Sequence, residues 1–305
     1  MSNNNWLLKK IADLPEEERL ELTSELMVEM GNAPQTQAES MGLVLMSDYT
    51  ESAIQLHANF GKMQGLSSGY TKIDGLTKGL VGGEMIIVAG KTSRGKTTLA
   101  LNIANNVALA GKSVLFVTLE MTHEEITSRT MYINGGDTED YYKASALIAF
   151  QKVDELDWKS IDKLIEKAKV DLDVSLVVID HLHYFTRELA NVAEDLGRIT
   201  KEFKKNAIRH KVPIMLISHV RKTSRGEEAT MDDLRGSSYM AQDADIVLMV
   251  GKIQERPDVT LVRIEKNRNR GFDYENDTVE LYTDKIKMYD DSPTRLETVL
   301  RDIGW

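Results

Sequence analysis

Met85-Ile-Ile-Val-Ala-Gly90-Lys91-Thr92-Ser93-Arg94-Gly95-Lys96-Thr97-Thr98 joins an apolar run to a glycine-bearing loop, and Thr98-Leu-Ala-Leu-Asn-Ile-Ala-Asn-Asn-Val-Ala-Leu-Ala then continues as a helix former. Residues 90 to 97 fit G-x-x-x-x-G-K-S/T at every fixed position, and they stand between a strand and a helix, as that motif requires. Such a corner aims main-chain N–H groups and the positive end of a helix at one point, which suits phosphate oxygens. Gly90 and Gly95 permit backbone that a Cβ would obstruct. Lys96 supplies a point charge for the β- and γ-phosphates, and Thr97 a hydroxyl for Mg²⁺. Gly90, Lys91, Thr92, Ser93, Arg94, Gly95, Lys96, Thr97 and Thr98 are therefore the expected nucleotide-binding residues, with ATP and Mg²⁺ as cofactors.

A phosphate-bound metal also needs a carboxylate. Leu176-Val-Val-Ile-Asp180 is an apolar strand ending in Asp, which would deliver Asp180 to the carboxyl edge of a sheet beside the loop. Alternatively, Asp180 caps the following turn. Val114-Leu-Phe-Val-Thr-Leu-Glu120 ends in the same way, so Glu120 is either a carboxylate that orients the attacking water or the cap of a helix starting near Thr122.

Outward from the loop, the apolar runs Met85–Ala89, Val114–Leu119, Leu176–Ile179, Pro213–Ile217 and Ile246–Val250 are unbroken. Unbroken runs predict strands buried on both faces of a parallel sheet with helices on each side. Val259–Lys266, Asn276–Tyr282 and Lys285–Tyr289 are closely spaced and partly alternating, which predicts antiparallel hairpins. The fold class is thus α/β, a mainly parallel central sheet flanked by helices, with C-terminal hairpins. Ahead of it lies a short helical segment: a helix over 6–30, a polar Gly- and Pro-bearing linker over 31–42, and a helix over 48–63 with Ala53, Ile54, Leu56, His57 and Phe60 near one face. The expected boundary divides 1–64 from 65–305.

The chain has 305 residues, no cysteine and a net charge of −10. Without cysteine there are no disulfides and no thiolate metal site. A protein that coats duplex DNA with its outer surface is usually basic, but a local basic channel can bind nucleic acid while the exterior stays acidic, so charge alone leaves the question open. The opening Met1-Ser-Asn-Asn-Asn-Trp6 is no signal peptide, and no apolar run approaches the ~20 residues of a membrane span. A cytoplasmic location, in a bacterium or for a phage protein in its host, is expected.

Several segments together resemble the C-terminal motor domain of DnaB-type replicative helicases, a RecA-fold group. They are Gly69–Leu80, Ser113–Met121, Val178–Asp180, Pro213–His219, Asp233–Val247 and Lys266–Gly271, spread over residues 66–289. The resemblance implies a RecA-like P-loop ATPase fold. It implies an ATP-dependent replicative DNA helicase: a homo-oligomeric ring, hexameric in this family, that moves on single-stranded DNA, unwinds duplex, and works with a primase or a helicase loader. It also implies residue roles. Glu120 would be the catalytic base, Asp180 and Thr97 would hold the metal, and His219 would sense the γ-phosphate. Arg268, with Lys266, would reach the ATP of the neighbouring subunit. The DNA-facing loops would include Arg187, Arg221, Lys222 and Arg225. A RecA-fold recombination or regulatory ATPase that binds DNA without unwinding is the alternative. The chain departs from the family in having only some 64 residues before the motor, and in a short segment between Met121 and Val174 that contains an acidic loop, Gly135–Asp140.

Elsewhere, Trp158, Ile161, Leu164 and Ile165 predict the core face of a helix, and Lys204 and Lys205 a solvated face. His181 and His183, with no cysteine or suitably spaced acidic pair, are expected to line the loop beside Asp180 rather than to bind zinc.

Overall fold

The structure, a computed structural model, describes residues 43–58, 62–151, 156–186, 192–220, 238–268 and 277–291, with Pro15, Glu18 and Asp233. The chain divides into two units, Met1–Lys62 and Met63–Trp305. The first contains a 3-10 turn at Met46–Tyr49 that leads into helix α1 (Thr50–Ala58). Apart from Pro15 and Glu18, the helix expected over 6–30 lies outside the described residues, as does the linker expected over 31–42.

The second unit is built on a nine-stranded sheet in the order β3-β2-β4-β5-β1-β6-β7-β8-β9. Its strands are β1 (Met85–Gly90), β2 (Val114–Thr118), β3 (Ile148–Phe150), β4 (Leu176–Asp180), β5 (Ile214–His219), β6 (Ile246–Lys252), β7 (Val259–Asn267), β8 (Thr278–Asp284) and β9 (Lys287–Tyr289). β3 through β6 pair in parallel, and β6 through β9 pair antiparallel. The five unbroken apolar runs are the five central parallel strands. β3 was not legible: Ile148-Ala-Phe150 is three half-buried residues at an edge, too short to show a period.

Each central strand feeds two cores, because alternate side chains leave opposite faces. Ile86 and Val88 join Phe116, Val178, Met215 and the residues of helix α3 (Lys96–Leu109) on one face. Met85, Ile87 and Ala89 join Val177, Leu216 and two helices, α6 (Ile161–Leu172) and α7 (Val192–His210), on the other. Ile161 and Ile165 are fully buried, and Leu164 and Trp158 pack against the same core, with Trp158 on a 3-10 turn ahead of the helix. α2 (Thr71–Thr77), α4 (His123–Ile133), α5 (Glu139–Ser145) and α8 (Ser238–Asp243) complete the helices described.

Two local expectations change. Lys205 is solvent-facing, paired with Glu202, but Lys204 is not: its Nζ donates to Asp245 Oδ2 at 2.6 Å and to the Gly83 carbonyl at 2.8 Å. α7 is long enough that one lysine of the pair turns under the sheet's end. The acidic loop at 135–140 is mostly a helix start. Gly135 and Gly136 turn the chain at positive φ, Thr138 caps α5 by accepting from Tyr141 N, and Glu139 and Asp140 occupy its first turn. There the helix dipole favours negative charge.

Candidate active site at the carboxyl edge of the sheet

β1 ends at Gly90, and α3 begins at Lys96 with Gly95 as its N-cap at φ 98°, a left-handed conformation that favours glycine. A Cβ on Gly90 would lie 2.4 Å from the Val250 carbonyl oxygen, so the loop leaves the sheet where only glycine fits. Lys96 is buried, and its Nζ donates to the Lys91 carbonyl at 3.0 Å, folded across its own loop. Burial lowers its pKa, against the pull of Asp180 and Glu120.

β4 runs beside β2, Thr118 registering with Asp180, and Leu119 N donates to the Asp180 carbonyl at 2.7 Å. That bond sets the two carboxylates side by side. The turn after β2 is fixed further by Thr118. Its hydroxyl donates to Met121 O at 2.7 Å, its amide donates to Gln151 Oε1 at 3.1 Å, and its carbonyl accepts from Gln151 Nε2. The cap of α4 is Thr122, in a reciprocal capping box with Glu125. Glu120 is not needed there, and its half-exposed side chain turns instead to His181, Oε2 lying 3.2 Å from Nδ1.

Asp180 is fully buried. Among the described residues neither of its oxygens has a hydrogen-bond partner of normal geometry, so it does not cap the next turn. Burial pushes its carboxyl up to about 6; Glu120 adds to that, while the nearby Thr97 hydroxyl, Lys96 and Arg129 pull it down. A buried carboxylate with no more than the Thr97 hydroxyl beside it is costly unless something cationic meets it. Two bare oxygens beside a threonine hydroxyl are the donor set a hard divalent cation takes, so this site fits Mg²⁺. The glycine cradle and Lys96 likewise fit a polyphosphate.

β5 places His219 opposite Gly90 in the register, at the same edge. Its ring meets that of His181 edge-on with centroids 4.8 Å apart, and His183 stands 6.1 and 6.0 Å from the two. Burial, with Lys96 and His181 nearby, lowers the His219 pKa to about 4, and burial, with the other two histidines, does the same for His183. The structure therefore gathers Lys96, Thr97, Glu120, Asp180 and His219 around the loop 90–98. His181 lies at this edge, beside Asp180, where the sequence placed it; Arg129, a further neighbour of Asp180, gave no signal in the sequence.

Arg268 and Lys266 are not part of this cluster. Arg268 N donates to the Asp245 carbonyl at 2.8 Å, and Asp245 N to the Met85 carbonyl at 2.9 Å, at the amino end of β1. The loop begins at the other end of that strand, roughly 16 Å away at 3.3 Å per residue. Lys266 Nζ donates to the carbonyls of Ala241 and Gln242 at 2.7 and 3.0 Å. Arg268 Nη2 donates to Gln242 O at 3.1 Å and its Nη1 lies 3.3 Å from Asp245 Oδ1. Both cations thus hold the open carbonyls at the end of α8, where the dipole is negative. Arg187, Arg221, Lys222 and Arg225 lie outside the described residues.

A phosphate-shaped loop, a bare buried aspartate and a second strand-end carboxylate at the carboxyl edge of a largely parallel sheet define a P-loop protein of RecA-like fold. Solved structures agree on the fold. One solved ATPase domain covers 80% of this chain with a TM-score of 0.68 at 22% identity. A DnaB-like replicative helicase, solved with its interactions with primase, covers 90% with a TM-score of 0.69 at 21%. The RadB recombinase covers 74% with a TM-score of 0.54 at 22%. The matched regions account for 99%, 75% and 100% of those chains respectively. The DnaB-like helicase C-terminal domain matches residues 65–148 and 138–285, and the chain belongs to that family. Among curated relatives, a probable replicative DNA helicase of Trieres chinensis is 31% identical over 68% of this chain, and the replicative DNA helicase DnaC of Bacillus subtilis is 29% identical over 74%. The chain spans 53% and 57% of these relatives' length, about half. Among the described residues no helix is long and apolar enough to cross a membrane.

Proposed function

We propose that this chain is the motor of a replicative DNA helicase, hydrolysing ATP between the subunits of a ring and moving on single-stranded DNA to separate duplex. The single observation that carries the reading is the separation of the site from its cations. Lys96, Asp180, Glu120 and His219 meet at one edge of the sheet, while Lys266 and Arg268 sit at the other end of β1. A chain so built cannot bring its own Arg268 to its own nucleotide, but a neighbour can. Hexameric closure would complete every interface with one copy's loop and the next copy's Arg268.

The roles follow from position. Main-chain amides of 90–98 and Lys96 grip the phosphates. Thr97 and Asp180 hold Mg²⁺, which supplies charge neutralisation at the phosphate oxygens. Glu120, half-exposed and steadied by His181, accepts a proton from the attacking water. His219, neutral at physiological pH, reads the terminal phosphate. Arg268 of the adjoining copy stabilises charge on the transferred group, an effect worth ~10³–10⁵ in rate in related chemistry. Arg187, Arg221, Lys222 and Arg225 are proposed to follow the DNA backbone, and a primase or loader to bind the assembled ring. The relatives named above carry replicative helicase in their names, which supports the reading.

Unwinding of a forked duplex with ATP, run beside Arg268→Ala and Lys96→Ala, tests it. Strand separation by the wild type that both variants lose is expected. DNA-stimulated hydrolysis with no unwinding would favour a recombination-type ATPase, and normal turnover by Lys96→Ala would remove the site assignment.

A further inference from the structure

Three ligand atoms from three different strand ends converge beside the phosphate loop. One each from Glu120, His181 and His219, they lie within 4.8 Å of one another, and the Glu120–His181 pair is already at 3.2 Å. Ligands at ~2.0–2.1 Å around a tetrahedral ion stand about 3.3 Å apart, so one edge is already at that spacing and the others lie within about 1.5 Å of it. Glu120 is half-exposed, which leaves an open side for entry and for a water. We propose that the nucleotide-free chain binds one Zn²⁺-class ion on Glu120, His181 and His219, with water in the fourth position.

Two imidazoles and one carboxylate select such an ion over Mg²⁺, which takes oxygen ligands almost alone. The site is distinct from the Mg²⁺ position at Thr97 and Asp180, which offers oxygens only. Among the described residues the Nδ1 of His219 is buried with no hydrogen-bond partner. The consequence is inhibition. The ion would occupy the carboxylate assigned to the attacking water and the imidazole assigned to the terminal phosphate, so metal and the Mg²⁺–nucleotide complex would exclude each other. The inhibitory consequence rests on the roles proposed above; the binding site does not.

Co²⁺ is the probe, titrated into the full nucleotide-free chain. The expected result is the intense visible spectrum of tetrahedral Co²⁺, saturating at one ion per chain and displaced by Zn²⁺. His181→Gln, His219→Gln and Glu120→Gln should each weaken binding about tenfold or more, the scale on which metal sites respond to lost partners. Glu120→Gln changes a half-exposed side chain and so reports on the site even where a buried histidine variant unfolds. His210→Gln, at a separate His210–Asp162 pair 2.8 Å apart, should bind as the wild type does. Undiminished binding by the three site variants, loss in His210→Gln, or only the weak spectrum of octahedral Co²⁺ would overturn the site. In a second arm, Zn²⁺ should slow ATP turnover and a zinc-selective chelator restore it. A chain with no turnover at all would count against the proposed function, while the Co²⁺ titration would still decide the metal site.

Discussion

Replacing Asp180 with Asn should stabilise the nucleotide-free protein, and the gain should grow with pH. Asp180 is fully buried with no hydrogen-bond partner of normal geometry among the described residues, and its carboxyl is pushed from 3.8 to about 6. In the unfolded chain the group ionises at its ordinary value, so the folded state binds more protons between those two points. Stability contributed by this group is therefore highest below 3.8, falls as pH rises, and is lowest above about 6. Relative to its fully protonated limit, this group costs the fold ~3 kcal/mol at pH 8 and about half that at pH 5, from 1.36 kcal/mol per pKa unit. With no solvent exposure there is no screening to discount. Asn cannot ionise, so urea unfolding of both proteins in EDTA should show Asp180→Asn ahead at pH 8 by about 1–2 kcal/mol more than at pH 5. Any constant effect of burying the amide cancels between the two pH values. A difference that stays flat with pH, or shrinks as pH rises, would refute the claim that this carboxylate is held unsatisfied. The same strain would be relieved by the cation the site is built to take, a stability–function trade of the usual kind.

Asp245→Ala should destabilise by about 3–5 kcal/mol, because it strands Lys204, 19% exposed, and the Met85 amide that Asp245 Oδ2 accepts from at 2.8 Å. A shift in the urea midpoint measures it, and a cost under ~1 kcal/mol would mean the pair is weaker than its burial suggests. Gly90→Ala should lower stability by about 1–3 kcal/mol and weaken nucleotide binding, since its methyl would meet the Val250 carbonyl of paired strand β6 at 2.4 Å. Wild-type affinity for a fluorescent nucleotide would show that the loop has more room than this.

The fold was legible wherever one physical signal acted alone. Five short apolar runs bounded by turn residues predicted strands covered on both faces, and all five are, from Met85–Gly90 outward. The phosphate loop was legible because its glycines answer local backbone demands: Gly90 is crowded by Val250, and Gly95 has positive φ. Interactions between segments distant in sequence were not. Glu120 could have been a cap until Thr122 and Glu125 proved to cap each other. Lys204 looked like its neighbour Lys205 because only the fold brings Asp245, 41 residues on, beneath it. His181 and His183 were expected beside Asp180, but their further neighbours could not be read, because the third imidazole, His219, and the carboxylate of Glu120 arrive from other strands. Around the phosphate loop, what the sequence did not show lies where several strand ends converge, which is where such a sheet builds its chemistry.

The most direct test mixes two inactive proteins. Glu120→Gln retains Arg268 but lacks the proposed base; Arg268→Ala retains the base but lacks the arginine. If each nucleotide is served by two chains, equal mixing into rings regenerates a complete interface at about one position in four, and DNA-stimulated ATP turnover should reappear from two preparations that have none alone. If turnover stays absent in mixed rings of confirmed composition, or if either variant alone hydrolyses ATP as the wild type does, the site is not shared between neighbours and the account is wrong.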